Sequence, residues 1–186
     1  MTNIRFTRIE EYDDIDTHNH YRKLLREGGD TEQFLREQQE IGRDNARTPY
    51  QWDDSRYAGF STAKPWLRVN PNHTEVNAAR ELCDPDSVLN FFRRAVALRK
   101  EHPDLVYGSF RLVAPDTPQV FAYLREGTDR SYLAALNFSP KAARLDPGTN
   151  LTEAEPLLHN YPAPPIAEKE GPIELRPYEG ILYRLA

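Results

Sequence analysis

A change of hydrophobic period at His102 and Pro103 limits the fold of this chain more than any other feature. Before it, apolar residues in the segment 85–101 recur at three- and four-residue spacing, which is typical of an amphipathic helix. Proline ends a helix because it has no amide hydrogen and clashes with the preceding turn. After it, apolar and polar residues alternate, which indicates strands. The predicted strands are 106–113, 120–125, 132–138, 155–159, 173–175 and 181–185.

The two sides of this change predict an α+β chain with two domains, residues 1–102 and residues 103–186. Short strands separated by Pro, Gly, Asp and Asn turns predict an antiparallel β-sandwich for the second domain. In the first, residues 8–40 predict two or three short helices, one of them capped by Asp30 or Thr31. The first domain also contains a predicted long loop over 41–73 and the predicted helix over 85–101, with Asp84 or Asp86 as the cap of that helix.

Charge and composition exclude several classes of function. The 186 residues carry a formal net charge of -5, and their basic residues are interleaved with acids, so we expect neither nucleic-acid nor membrane binding. No segment approaches the ~20 apolar residues that a membrane span requires, and the start has no run typical of a signal peptide. The single cysteine, Cys83, cannot form an internal disulfide, which favours a cytoplasmic location.

The segment 42–53 carries the residue types of a sugar-binding site. Arg43 and Arg47 each offer five donors in a fixed plane, and Trp52 offers a flat apolar face. Proline at position 49 pushes Thr48 toward extended backbone, which places this segment in a loop. A structural interpretation stays open beside the functional one, in which the rings belong to a core and the arginines tie the loop to neighbouring acids.

Other chemically capable residues have simpler explanations. His18 and His20 would point to different faces of a helix and have no third ligand at suitable spacing, so no metal site is expected. The acids between positions 10 and 16 are typical of a solvated face. Aromatic residues of the second half are predicted to form the sandwich core, with a surface sugar platform as the alternative. These are Tyr107, Phe110, Phe121, Tyr123, Tyr132, Phe138 and Tyr178.

Taken together, these motifs resemble the C-terminal part of a glycoside hydrolase family 13 enzyme. The likeness is to the bacterial α-glucosidase, oligo-1,6-glucosidase and dextran glucosidase group, and it covers nearly the whole chain. Several short motifs in the right order are far more specific than any one of them. The segments that carry it are 3–6, 9–12, 42–54, 58–60, 65–66, 69–72, 98–100, 106–108 and 175–179.

This resemblance implies that the first domain is the last βα connection and the terminal helices of a (β/α)8 barrel, followed by the family's C-terminal β-sandwich. It also implies that the catalytic nucleophile, the acid/base and a third aspartate lie on earlier strands, so no catalytic residue is expected here. Arg43 matches the arginine that holds the non-reducing terminal glucose, with an aspartate from an early barrel loop. Asp16 matches a position where α-1,6-acting relatives carry a glutamate facing the next sugar.

The expected function is therefore that of an α-glucosidase fragment that binds gluco-oligosaccharides through Arg43 and Asp16, needs no cofactor or metal, and is inactive alone. Arg47, Trp52 and Asp53 are expected to shape the loop, while Arg43, without its usual partner, should be solvated and its loop rearranged. Expected partners are the missing barrel portion or a second copy of the chain. The alternatives are a stand-alone carbohydrate-binding or scaffold module, or the C-terminal piece of a two-chain glycosidase, trehalose synthase or sucrose isomerase.

Overall fold

The structure, a computed structural model, describes residues 2–164 and 171–186. Its backbone contacts form two compact units, Met1–Asn90 and Phe91–Ala186. The domain boundary predicted between residues 102 and 103 stays a prediction, because compactness alone does not say where a domain begins in the folding or evolutionary sense.

The first unit is built from helices with clear capping residues. Asp14 accepts a hydrogen bond from the Thr17 amide at the start of α1, and Gly28, with φ of 70°, ends that helix in the left-handed conformation. Asp30, rather than Thr31, caps α2 through the amide of Gln33. The predicted short helices over 8–40 are thus confirmed. The helices are α1 (Ile15–Glu27), α2 (Thr31–Ile41) and α3 (Ala78–Cys83), with 3₁₀ turns at Ile9–Glu11, Arg43–Ala46, Arg56–Gly59 and Pro71–Thr74.

A small core fixes the long loop of this unit. Phe6 and Tyr12 meet edge to face with their ring centroids 5.1 Å apart, and both are buried. Leu67 belongs to the same cluster although it lies in the middle of the predicted loop. A leucine this deeply buried holds the loop backbone in one place, since exposing it again would lose about 1.5–3 kcal/mol of hydrophobic stabilisation.

The helix predicted over 85–101 is α4, Val88–Glu101. Its cap is Ser87, whose hydroxyl accepts from the Asn90 amide at 3.2 Å, so the prediction of an aspartate cap is wrong. The Asp84 carboxylate instead accepts from the amide of Asp86 and closes the turn before the helix. The structure describes every residue of α4, and none of them is buried. Phe92 is 63% exposed.

The second unit holds a short helix, α5 (Asp104–Tyr107), and seven described strands. The predicted strand 106–113 begins too early, because the Gly108 amide bonds to the Asp104 carbonyl and completes a helical turn. A strand at 143–145 was not predicted from the sequence. The strands are β1 (Ser109–Val113), β2 (Val120–Glu126), β3 (Ser131–Asn137), β4 (Ala143–Leu145), β5 (Glu155–His159), β6 (Ile173–Leu175) and β7 (Gly180–Arg184).

The described strands form two antiparallel sheets that share one core. Five strands pair in the order β1-β2-β3-β7-β5, and β4 pairs with β6. The inward-facing side chains of both sheets make one buried apolar cluster, which confirms the predicted sandwich. Its members are Val113, Val120, Ala122, Leu124, Leu133, Ala135, Ala143, Leu145, Leu151, Ile173, Leu175, Ile181, Tyr183 and Leu185.

Most aromatic residues assigned to this core lie outside it. Alternate residues of a strand face opposite sides, and in β2 the core side belongs to Val120, Ala122 and Leu124. Phe121 and Tyr123 therefore lie on the outer side, where their ring centroids are 5.4 Å apart. The prediction of a core role is wrong for the exposed residues, which are Tyr107, Phe110, Phe121, Phe138 and Tyr178.

One buried ion pair fixes the turn that leads into β7. Glu179 is fully buried, and its carboxylate accepts from the backbone amide of Arg176 at 2.7 Å and from the Arg176 guanidinium. The guanidinium also lies over the ring of Tyr161, 4.0 Å from the centroid. Burial raises the pKa of Glu179, but the hydrogen bonds and charge of Arg176 outweigh it and hold the pKa below its ordinary value.

Replacing this carboxylate should destabilise the chain in a pH-dependent way. For Glu179→Gln we expect a loss of about 1.5–3 kcal/mol in unfolding free energy at neutral pH, because charged hydrogen bonds are lost. The folded pKa is lowered, so the stabilisation is present above the unfolded pKa and disappears as pH falls through the folded pKa. Urea unfolding at pH 7 and at low pH measures it, with the exposed Glu174→Gln as control. An equal loss at both pH values would contradict this assignment.

Candidate functional site

Arg43 stands on a turn that is tied to the end of α2. Gly42 joins the two, and a Cβ there would lie 2.4 Å from the Gln38 carbonyl oxygen, so a larger residue would force the backbone apart. The Asn45 side-chain amide donates to the carbonyls of Gln38 and Gln39, both at 3.1 Å. The carbonyl of Gln38 also accepts from the Gly42 amide at 2.8 Å, so these bonds tie the turn to carbonyl groups at the helix end. Arg43 therefore projects from a rigid turn.

Asp14 supplies the acidic partner that the sequence did not predict for Arg43. The Asp14 carboxylate lies 3.7 Å from the guanidinium of Arg43 and 4.0 Å from that of Arg47. The resemblance places the usual aspartate partner of Arg43 outside this chain, but the cap of α1 brings a different carboxylate to it, and rearrangement of the loop stays a prediction. Arg43 is nevertheless 72% exposed, as expected, and most of its donors face solvent.

Asp14 stays ionised in this arrangement. The backbone amide of Thr17 contributes most to lowering the pKa of Asp14, and the Thr17 hydroxyl, Arg43 and Arg47 add to it against a smaller opposing effect of burial. The acids between 10 and 16 were predicted to form a solvated face, and for Asp14 this is wrong. A cap aspartate before a helix is a signal that the sequence does contain, but the arginine partners come from thirty residues away.

Asp44 joins the two segments that carry the site. Its fully buried carboxylate accepts from the backbone amides of Asp13 at 2.7 Å and Asp14 at 2.9 Å, and it pairs with Arg47 at 3.1 Å. The Arg47 guanidinium also lies over the ring of Trp66, 4.7 Å from its centroid. The sequence does not predict this role of Asp44, since the amides of Asp13 and Asp14 lie about thirty residues away and leave no trace in local spacing.

Asp16, the second predicted binding residue, lies in the first turn of α1. It is exposed, and within the described part of the chain its carboxylate makes neither a hydrogen bond nor an ion pair. The structure thus places Asp16 two residues after the carboxylate that meets Arg43, without direct contact between the two predicted residues. A free carboxylate in this place is available to a ligand hydroxyl.

Trp52 and Asp53 shape the loop beyond the turn. Both backbone amides donate to the Ala58 carbonyl, at 2.9 and 3.3 Å. The Asp53 carboxylate accepts from the Ser55 amide, and a Cβ at Gly59 would lie 2.6 Å from it. Trp52 itself is 55% exposed and tilts against Tyr50, with centroids 4.6 Å apart.

The histidines are occupied elsewhere. A ring nitrogen of His18 lies 2.6 Å from the Tyr12 carbonyl oxygen, and the His20 ring packs against Phe34 at 4.9 Å. Among the described residues, no group of three His, Cys, Asp or Glu side chains could hold a metal ion. Among the same residues, no helix has both the length and the apolar content to cross a membrane.

With the geometry established, comparison with known families identifies the chain. Residues 7–108 match the Alpha amylase catalytic domain, and residues 110–182 match the Maltogenic Amylase C-terminal domain. The chain therefore belongs to the α-amylase family, glycoside hydrolase family 13, and comprises the end of the barrel and the C-terminal domain. Both the predicted resemblance and the predicted fold class are confirmed.

Among relatives, the oligo-1,6-glucosidase of Bacillus cereus is 40% identical over 191 aligned residues, and the probable oligo-1,6-glucosidase 2 of Bacillus subtilis is 43% identical. The alignments cover all of this chain and 33% of each relative. Among solved structures, the trehalose-6-phosphate hydrolase of Bacillus licheniformis superposes with a TM-score of 0.91 at 34% identity, over 100% of this chain and 34% of that one. A trehalulose synthase gives a TM-score of 0.90 at 40% identity, with the same coverage.

The role of Asp44 can be tested on the chain itself. Asp44→Asn should speed hydrogen exchange at the amides of Asp13 and Asp14 and reduce the unfolding free energy by about 1–3 kcal/mol, because a buried charged acceptor is lost. Mass-resolved exchange and urea unfolding measure the two effects. The exposed Asp54→Asn should change neither, within about 0.5 kcal/mol. Unchanged exchange at Asp13 and Asp14 in the Asp44 variant would contradict the bridging role.

Proposed function

We propose that this chain forms the C-terminal third of an α-glucosidase that acts on short α-linked gluco-oligosaccharides. In this proposal Arg43 holds the non-reducing terminal glucose, and the catalytic carboxylates belong to earlier barrel strands. The observation that supports it best is the Arg43 guanidinium, which is largely exposed yet held by Asp14 on a rigid turn. A cytoplasmic location stays a prediction of the sequence.

The electrostatics of the turn suit a neutral, hydroxyl-rich ligand. Arg43 and Arg47 face the carboxylates of Asp14 and Asp44, so the four charges cancel. An excess of positive charge would favour phosphate or carboxylate ligands. This arrangement has no such excess. Arg43 instead presents directional donors whose positions are fixed before binding, which lowers the entropy lost when a sugar is held.

The acids that lie near Arg43 are unsuited to the hydrolytic step, so we propose that the chain alone is inactive. Retaining glycoside hydrolysis requires two carboxyl groups roughly 5 Å apart, one of which must carry a proton near neutral pH. Asp14 and Asp44 are engaged by arginines, and the lowered pKa of Asp14 keeps it ionised. Glu11 pairs with Arg68 at 3.2 Å and caps its own turn.

We propose that Asp16 faces the sugar next to the one held by Arg43. Its carboxylate is free in the described part of the chain, and the family resemblance implies a glutamate at this position in α-1,6-acting relatives. The side chain here is one methylene shorter, which reduces its reach toward that sugar. The preference between α-1,6 and α-1,4 linkages is therefore proposed to be weaker than in a glutamate-bearing relative.

Two alternatives rest on separate observations. The likeness to a trehalulose synthase at 40% identity supports sucrose isomerase chemistry as an alternative activity of the parent enzyme, and trehalose synthase chemistry stays an alternative from the family resemblance alone. The exposure of Val88 and Phe92 on α4 favours a partner that covers this helix, either the remaining barrel portion or a second copy of the chain. A stand-alone binding or scaffold module is the third alternative.

Complementation tests the function and the partner together. The chain alone should not release glucose from isomaltose or nitrophenyl glucoside, whereas mixing it with the barrel portion of a related oligo-1,6-glucosidase should restore release. In that mixture Arg43→Lys should lower kcat/KM by about 10–100-fold, since a planar set of donors is replaced by a point charge. The exposed Arg26→Lys is the matched control. Turnover by the purified chain alone would overthrow the proposal of inactivity.

Lengthening Asp16 should shift the linkage preference. In the complemented enzyme, Asp16→Glu should raise the ratio of kcat/KM for isomaltose over maltose by about 3–10-fold, an energy of about 1 kcal/mol for one recovered hydrogen bond. Asp16→Asn should leave the ratio unchanged or lower it, because it adds no reach. Equal ratios in the parent and the glutamate variant would remove Asp16 from the sugar site.

A further inference from the structure

A cleft in the first unit shares Asp13 and Trp66 with the contacts around Asp44, and the function proposed for Arg43 does not use it. Its volume is about 420 Å³, within the range of small-ligand pockets. We call it the Trp66 cleft. Residues that line it include Glu10, Asp13, Tyr57, Lys64, Trp66 and Arg68.

Contacts of Leu67 and Arg47 fix Trp66 in this cleft. Its ring is 57% exposed although the next residue, Leu67, is 2% exposed and fixed in the core with Phe6 and Tyr12. The guanidinium of Arg47 lies over the same ring and in turn pairs with Asp44. An indole fixed on both sides but exposed to solvent loses little conformational entropy when a flat ligand stacks on it.

The polar groups of the cleft are free to bind. Glu10, Asp13 and Lys64 are all exposed, and their side chains make neither ion pairs nor hydrogen bonds within the part of the chain that the structure describes. Glu11 is paired with Arg68, which leaves the cleft with one net negative charge at neutral pH. Such a site repels phosphates and carboxylates. Carboxylates and an ammonium group around an indole instead suit the hydroxyls and apolar face of a sugar ring.

The wall of the cleft at Tyr57 is a strained backbone. Tyr57 and Ala58 follow one another with φ of 58° and 57°, a conformation that side chains other than glycine rarely adopt. The strain is maintained by the Ala58 carbonyl, which accepts from the amides of Trp52 and Asp53. Strained residues that a protein retains are concentrated at ligand sites, where they fix the shape of a wall.

Two residues connect the cleft with the Arg43 turn, one along the chain and one by a side-chain contact. Asp13 lines the cleft and is followed directly by Asp14, which meets Arg43. Arg47 contacts Trp66 on one side and the carboxylates of Asp14 and Asp44 on the other.

We propose that the Trp66 cleft is a saccharide subsite that holds glucose units beyond the one bound by Arg43, with Trp66 as the stacking surface and Glu10, Asp13 and Lys64 as hydroxyl partners. This proposal rests on the proposed function, since it takes the same oligosaccharide as its ligand. It adds a second binding element that the isolated chain already contains in full.

Tryptophan fluorescence of the chain alone tests the cleft. The chain contains only two tryptophans, so Trp52→Phe leaves Trp66 as the single reporter. Isomaltotriose at millimolar concentration should change Trp66 emission in a saturable way, and glucose should bind at least about tenfold more weakly because it cannot span both elements. No saturable change with isomaltotriose would overturn the proposal.

Two further variants separate the cleft from the Arg43 turn. Glu10→Gln combined with Asp13→Asn changes only exposed side chains, so the chain should still fold, and isomaltotriose affinity should fall about tenfold when two charged acceptors are lost. Calorimetry of Trp66→Ala should show the same loss. If Arg43→Lys weakens binding while these variants do not, the cleft proposal fails and the proposed function stands. If these variants weaken binding while Arg43→Lys does not, the cleft stands and the assigned role of Arg43 fails.

Discussion

The candidate site depends on one buried carboxylate. Asp44 receives two backbone amides from the segment before α1 and one guanidinium from its own turn. An ionised group without water is stable only when such donors surround it, and here the donors come from parts of the chain thirty residues apart. The same contacts therefore solvate the charge and fix the position of Asp14, the residue that faces Arg43.

The second unit uses the same device. Asp44 with Arg47 and Glu179 with Arg176 are both pairs three residues apart, and in both the carboxylate is fully buried while the arginine side chain is 38% exposed. In both, the guanidinium also lies over an aromatic ring, that of Trp66 or that of Tyr161. Each pair ties a turn to backbone amides, so a loop without regular structure gains one defined conformation. Long loops remain ordered in this way at the price of a buried charge.

The sequence pattern was sufficient to predict the helices and strands that short-range interactions stabilise. The helices at α1 and α2, the strands β5 and β6 and the sandwich follow from capping residues and from alternation, both of which act within a few residues. The pattern did not reveal which face of β2 is the core, because aromatic Phe121 and aliphatic Val120 both satisfy an apolar position. The core selects the smaller side chains, since alanine and valine let two sheets approach closely.

The partner of Arg43 could not be predicted for a different reason. Pairing between Asp14 and Arg43 depends on the packing of two segments, and no spacing in the sequence measures that distance. The resemblance supplied Arg43 itself but assigned its carboxylate to a loop outside the chain. A carboxylate can orient the Arg43 guanidinium from Asp14 or from the early barrel loop. In both cases some of the guanidinium donors stay free for a sugar.

Binding and bond cleavage therefore place different demands on a chain of this kind. A binding arginine requires a rigid turn and one counter-charge, and contacts among residues 13–66 of this chain provide both. Cleavage requires two carboxyl groups held across one glycosidic bond, one of them protonated. Asp14 is unsuited to the protonated role, since the Thr17 amide, and with it the guanidinium groups of Arg43 and Arg47, lowers its pKa. The contacts that fix Asp14 beside Arg43, on which the proposed sugar site depends, are thus also contacts that keep Asp14 ionised.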